Sequence, residues 1–129
     1  MKTITVKSRS RNEFIDITSD LKDIVRQAGV KSGACYIFVP HTTAGITINE
    51  GADPAVKRDI IAALERVFPV DGDYRHGEGN SDAHIKASLT GSSSVVLIED
   101  GKLVLGTWQS VYFCEFDGPR NRQVLVKLI

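Results

Sequence analysis

The chain is poor in the residues that most often betray chemistry: among 129 residues there are 2 Cys, 3 His, 1 Met and 1 Trp. Cys35 and Cys114 lie far apart inside apolar, strand-like runs, where buried free thiols are commoner than disulfides or metal ligands. A disulfide scaffold is therefore not expected. Neither sign of charge is in excess, since 16 Lys and Arg face 16 Asp and Glu, so no overall field draws the protein to nucleic acid or an anionic membrane. No apolar run approaches the roughly 20 residues that span a bilayer. The start MKTITVKSRSR runs into alternating structure without the apolar block and cleavage site of a signal peptide. These absences predict a soluble, cytoplasmic protein with neither nucleic-acid nor membrane partners. Walker and dinucleotide glycine patterns are missing, as is a GxSxG elbow, and neither cysteine has a histidine near it in sequence.

What is present suffices for a core. At 42% hydrophobic, residues 1–129 are expected to form one domain of ordinary size. Residues 3–7 and 14–18 alternate as strands around a polar turn, which predicts an antiparallel opening pair. Leu21, Ile24, Val25 and Ala28 share a helical face, Ser19 or Asp20 caps it, and Gly29 stops it. Ala34 to Val39 is a buried strand that Pro40 ends, delivering His41 at its exit. Gly45 allows a bend before Ile46-Thr47-Ile48 resumes extended structure, so His41 and Glu50 bracket one hairpin-like element. Asp53-Pro54 starts a second helix, with Val56, Ile60, Ile61, Leu64, Val67 and Phe68 as its buried stripe. After a glycine-rich loop at 69–80, Ser81 or Asp82 caps a short helix reaching Leu89. Strands at 94–99, 103–105, 109–116 and 124–128 close the chain as a meander around an Asp100-Gly101 turn. Helices and strands do not alternate as parallel βαβ units require, so the expected class is α+β with antiparallel sheet.

The three histidines all fall in segments crowded with small polar residues: HTTAGITINEGADP from His41, and HGEGNSDAH from His76 to His84. In the first segment His41, Thr42, Thr43, Asn49, Glu50 and Asp53 gather an imidazole, carboxylates and hydroxyls. Turn and cap chemistry accounts for Thr, Asn and Asp there, whereas His41 sits at the edge of the core, where a ligand can reach it. In the second, two readings compete. Loop amides and a helix N-terminus, with Asn80, Ser81 and the histidines, would cradle a phosphate; or His41, His76 and His84 would offer neutral nitrogens to zinc. The spacing matches no recognised ligand pattern. In GTWQSVYFCEFDGPRNR the aromatics Trp108, Tyr112, Phe113 and Phe116 read as sheet or interface packing, and Arg120 and Arg122 follow a turn from which guanidinium groups can reach phosphate.

HTTAGITINEGADPAV at 41–56, HGEGNSDAHIKASLTGSS at 76–93 and GTWQSVYFCEFDGPRNR at 106–122 resemble the YjbQ-like family, also named the secondary thiamine-phosphate synthase enzyme family. The likeness covers nearly the whole chain. It implies an antiparallel β-sandwich of seven to eight strands with two to three helices, assembled as a homotrimer. It also implies a weak thiamine-phosphate synthase activity, a transferase reaction joining hydroxymethylpyrimidine diphosphate to thiazole phosphate with release of pyrophosphate. The motif positions carried over are His41, Glu50, Asp53, His76 and His84 as candidate catalytic groups, and Thr43, Asn80, Ser81 and Arg120 as binders of the phosphorylated metabolite. His41, His76 and His84 are also the candidate ligands of a divalent metal, zinc or magnesium. The alternatives are a metal-dependent hydrolase or metal-binding protein built on those three histidines, and a non-catalytic trimeric module that binds a phosphorylated metabolite.

Overall fold

The computed structural model describes every residue from Met1 to Ile129. Its elements run β1 (Lys2–Lys7), β2 (Glu13–Asp16), α1 (Thr18–Ala28), β3 (Gly33–Phe38), β4 (Ala44–Glu50), α2 (Pro54–Val67), α3 (Ser81–Thr90), β5 (Ser93–Glu99), β6 (Lys102–Leu103), β7 (Gln109–Glu115) and β8 (Asn121–Leu128). The class is α+β, as the sequence implies. Strands β1-β8-β3-β5-β6 form one sheet and β2-β7-β4 another, all paired antiparallel.

Three layers result. Val6, Cys35, Ile37, Val96, Ile98, Val124 and Val126 point inward from the five-stranded sheet, and Ile46, Val111 and Phe113 meet them from the three-stranded one, with Leu21 and Val25 of α1 closing the cluster. The opposite face of the small sheet is covered as well, because Phe14, Tyr112, Cys114 and Phe116 pack against Ala83 and Ala87 of α3 and Ile60, Ile61 and Leu64 of α2. Central β7 is thus buried on both faces, which explains its unbroken apolar run VYFC. The outer face of the large sheet has no such cover.

Several expectations need correction. The opening strands do not pair with each other: β1 lies on β8 and β2 on β7, since each finds a longer apolar partner in the C-terminal third. His41 and Glu50 do not bracket a hairpin, because β3 and β4 belong to different sheets. The C-terminal strands are likewise no meander. Helix α1 begins at Thr18 with Ile17 as its cap and no side-chain cap bond, though Gly29 ends it in the left-handed region as expected, at φ 68°. Helix α2 starts where predicted, with the Asp53 carboxylate accepting the Ala55 N–H at 2.9 Å, but none of its residues is fully buried and Val67 is exposed. It rests on the small sheet by one edge only. Trp108 does not pack within the sheet but is exposed on the single chain, whereas Asp100 and Gly101 make the expected tight turn, at φ 52° and 74°.

Candidate functional site

Pro40 ends β3 and turns the chain toward the second sheet, leaving His41 where the two sheets part. There its Nε2 accepts the Gln123 N–H at 3.0 Å. An imidazole nitrogen that accepts carries no proton, so His41 is held as the tautomer with its hydrogen on Nδ1. Partial burial and the Arg122 charge lower its pKa below the ordinary value. His41 is thus a neutral hydrogen-bond donor fixed in orientation.

Beneath it lies a buried polar group that breaks the apolar pattern of the core. Glu115, at the end of β7, is fully buried, as are Ser8, Thr43 and Arg122 apart from a few per cent of their surface. Arg122 donates from Nε to Glu115 Oε1 at 2.9 Å, from Nη2 to Glu115 Oε2, and from Nη2 to Thr43 Oγ1 at 2.8 Å. Ser8 Oγ adds a bond to Oε1 at 2.7 Å, and the amides of Phe116 and Asp117 donate to Oε2. Burial alone would raise the Glu115 pKa; the donors outweigh it and hold the carboxyl below its ordinary range. Only Nη1 of Arg122 lacks a protein partner, and Arg122 lines an open cleft of about 470 Å³.

Apart from Pro40 that cleft is lined by polar residues, and it holds all three imidazoles. His76 and His84 stand edge to face with ring centroids 5.3 Å apart. Asn80, the residue at the start of α3, donates Nδ2 to Asp117 Oδ2 at 2.9 Å, and Arg120 bonds the same oxygen at 3.0 Å. Asn80 therefore does not cap the helix, and no other side chain does. Its Oδ1 is buried without a partner. The predicted cap at Ser81 or Asp82 fails for a physical reason: the Asp82 carboxylate turns inward to Lys86 Nζ at 2.9 Å and Arg11 at 2.9 Å. Burial raises and these cations lower the Asp82 pKa, with lowering the net result. The N-terminus of α3 is left without a side-chain cap beside the cleft.

The structure thus brings together His41, Thr43, His76, Asn80, His84 and Arg120 of the predicted site. Ser81 lines an adjoining depression shared with His76 and His84. Glu50 and Asp53 stand apart, at the far end of β4, about 20 Å along the strand from Ala44 at ~3.3 Å per residue. There the Glu50 carboxylate accepts the Asp53 N–H at 3.3 Å. No three His, Cys, Asp or Glu side chains of the chain converge as ligands for one ion. Sequence reasoning missed Glu115, Asp117, Ser8 and the buried state of Arg122.

The whole architecture has known counterparts. The family model described as UPF0047 protein YjbQ-like matches residues 2–129. The chain belongs to this YjbQ-like UPF0047 family. UPF0047 protein YugU of Bacillus subtilis is 49% identical, over 100% of this chain and 98% of that one. UPF0047 protein YjbQ of Escherichia coli O157:H7 is 33% identical over 88% and 85%. Among solved structures, a YjbQ/UPF0047 protein of Clostridium acetobutylicum superimposes with a TM-score of 0.98 at 58% identity, covering 100% of both chains. A conserved Thermus thermophilus protein does so with 0.92 at 42% identity, again over 100% of both. The family's fold is therefore this chain's fold, and none of these names states an activity.

Proposed function

We propose that the histidine cleft binds a phosphorylated metabolite and supports a transferase reaction of the thiamine-phosphate synthase type. The observation that carries this reading is the convergence of three imidazoles with buried Arg122, whose Nη1 is unpaired, around one cleft that is polar apart from Pro40. Net charge does not do the work. With neutral imidazoles the lining balances Arg120 and Arg122 against Glu78 and Asp117, so an anion is held by oriented donors rather than by a diffuse field. His41 Nδ1–H and Arg122 Nη1 are fixed by protein partners before any ligand arrives, and so need no reorganisation. In the proposed reaction the thiazole nitrogen bonds to the pyrimidine's methylene carbon while the carbon–oxygen bond breaks and pyrophosphate leaves with the electron pair. These donors would stabilise the charge that develops on the leaving oxygen, and His76 or His84, in its imidazolium form at that step, would supply a proton to it. Glu50 and Asp53 have no part in this within one subunit.

The test is product formation from the two thiamine precursors by the His84→Ala and His76→Ala variants, each checked for folding. At least one should lose about 100-fold in rate, the usual scale of a general acid; wild-type rates in both would remove the site. A metal reading draws support from the imidazole pair, since two rings bound to one tetrahedral ion at 2.0–2.1 Å place their centroids about 5 Å apart, close to the 5.3 Å of His76 and His84. His41 could join as third ligand only through Nδ1, or by giving up its bond to Gln123. Stoichiometric zinc or magnesium in untagged protein would favour the metal-dependent hydrolase over the anion cradle. Ligand-induced thermal shifts without turnover would favour the binding module.

A homotrimer belongs to the same proposal. Tyr36, Phe38, Val95 and Leu97 are 46%, 46%, 49% and 62% exposed on the outer face of the large sheet, with Tyr36 paired to Val95 and Ala34 to Leu97 across β3 and β5. This contiguous apolar face supports burial against another copy.

A further inference from the structure

His41 and His84 both border the same two depressions. One is the polar cleft; the other, of about 370 Å³, lies between the β3–β4 connection and the C-terminal half of α3. The composition changes abruptly across the two rings. On the cleft side stand two arginines and two carboxylates. On the other side are Ala44, Ala87, Ser88, Gly91 and Ser92, with no lysine, arginine, aspartate or glutamate. Every side chain contributed there apart from the imidazoles and Thr42 is small, so the hollow is kept open by residue choice. Its size falls within the range of pockets that hold a small organic group.

We infer that this second hollow receives the organic part of the substrate, an uncharged, ring-sized group, while the phosphate occupies the polar cleft, the two being joined between His41 and His84. The inference rests on the proposed phosphate reading of the cleft and adds the place where the organic part is held and selected. Ala87, with the buried Ala44 behind it, offers an apolar wall to a ring face, whereas Ser92 and Thr42 offer hydroxyls to its polar substituents and Ser88, whose Oγ donates to the His84 carbonyl at 2.8 Å, offers a lone pair. A charged substituent would enter a hollow with no counter-ion and lose hydration without compensation. A highly hydroxylated sugar would fit poorly for a related reason, because the two alanines cannot satisfy its donors. Ala87, Ser88, Gly91 and Ser92 thereby become specificity-determining positions. Their smallness is the selective feature.

The experiment compares phenyl phosphate, methyl phosphate and inorganic phosphate by calorimetric titration of the intact protein. The expected result is phenyl phosphate binding about tenfold or more tighter than methyl phosphate, the scale set by burying one ring. Ser88→Trp and Ser92→Trp, at two exposed positions on the hollow's wall, should each bring that ratio close to one by filling the space. Two separate positions guard against a variant that fails to fold. Phenyl and methyl phosphate binding alike to the wild type, with inorganic phosphate also bound, would overturn the assignment of the hollow and leave the phosphate reading intact. The same holds if both variants keep the full ratio. Failure of all three probes to bind the wild type would overturn both.

Discussion

Replacing Glu115 by glutamine changes one atom type in a fully buried side chain and tests the electrostatic core of the site. Its two oxygens accept five hydrogen bonds: Ser8 Oγ and Arg122 Nε on Oε1, and the Phe116 amide, the Asp117 amide and Arg122 Nη2 on Oε2. In Glu115→Gln one of these oxygens becomes an amide nitrogen facing donors. Placed on the Oε2 side it confronts three, and placed on the Oε1 side it confronts Arg122 Nε, with the Ser8 hydroxyl able to turn and accept. The second arrangement is less costly and leaves one buried donor unpaired, about 1–3 kcal/mol. The Arg122 charge, only 4% exposed, also loses its counter-ion, and breaking a buried pair by removing one partner costs about 3–5 kcal/mol in all. Stability should therefore fall by about 3–5 kcal/mol in urea titrations read by circular dichroism. The double variant Glu115→Leu with Arg122→Met should lose less than the sum of the two single losses, because no charge remains to strand. A loss under about 1 kcal/mol for Glu115→Gln, or strict additivity in the cycle, would refute the coupling.

Acid stability offers a second check, with a definite sign. The pKa of His41 is lowered in the fold, chiefly by partial burial, so its contribution is complete above the ordinary imidazole value and is lost as pH falls through the lowered folded value. Protonation would also put a hydrogen on Nε2, where the Gln123 N–H now donates. Asp82 and Glu115, both lowered by cationic partners despite burial, add a second loss at more acidic pH, below the ordinary carboxylate range. Wild-type stability should thus decline in two steps on acidification, and His41→Gln should flatten the first step alone; an unchanged first step in that variant would exclude His41 as its source. For the assembly, Leu97→Lys should dissociate the proposed trimer in analytical ultracentrifugation, since it places a charge amid the exposed apolar face. A wild type that sediments as a monomer at micromolar concentration would defeat that proposal.

How much of this was legible follows from what each signal reports. Apolar patterning located most strands within a residue or two, though β8 begins three residues before the expected 124, and Asp53-Pro54 and Gly29 marked helix ends, because capping is local chemistry. Pairing is not local. Residues 3–7 and 14–18 look like a hairpin in isolation, yet their best partners lie more than a hundred positions away in some cases, as with Thr3 opposite Leu125. Nothing in a short strand's own residues announces that choice. The three histidines were found by their polar surroundings, and the structure gathers them. Glu50 and Asp53 were attached by nearness in sequence, but a seven-residue strand carries them to its other end.

Arg122 and Glu115 were misjudged for a subtler reason, and the missed signal is simple. Val111, Phe113 and Glu115 lie at i, i+2 and i+4 on β7, and Arg122, Val124 and Val126 do the same on β8; each charged residue therefore inherits the inward face of its strand. Two opposite charges in register with core positions on separate strands call for a buried pair, since either alone would be too costly to keep. That pair occupies just two of the three nitrogens of Arg122. A fold seeking stability alone could fill the same volume with apolar side chains at no loss, so the arrangement makes best sense as a way to hold a guanidinium edge rigidly at the floor of a cleft. The histidines marked where the cleft lies; the alternation of the strands beneath them indicates which charged pair forms its floor.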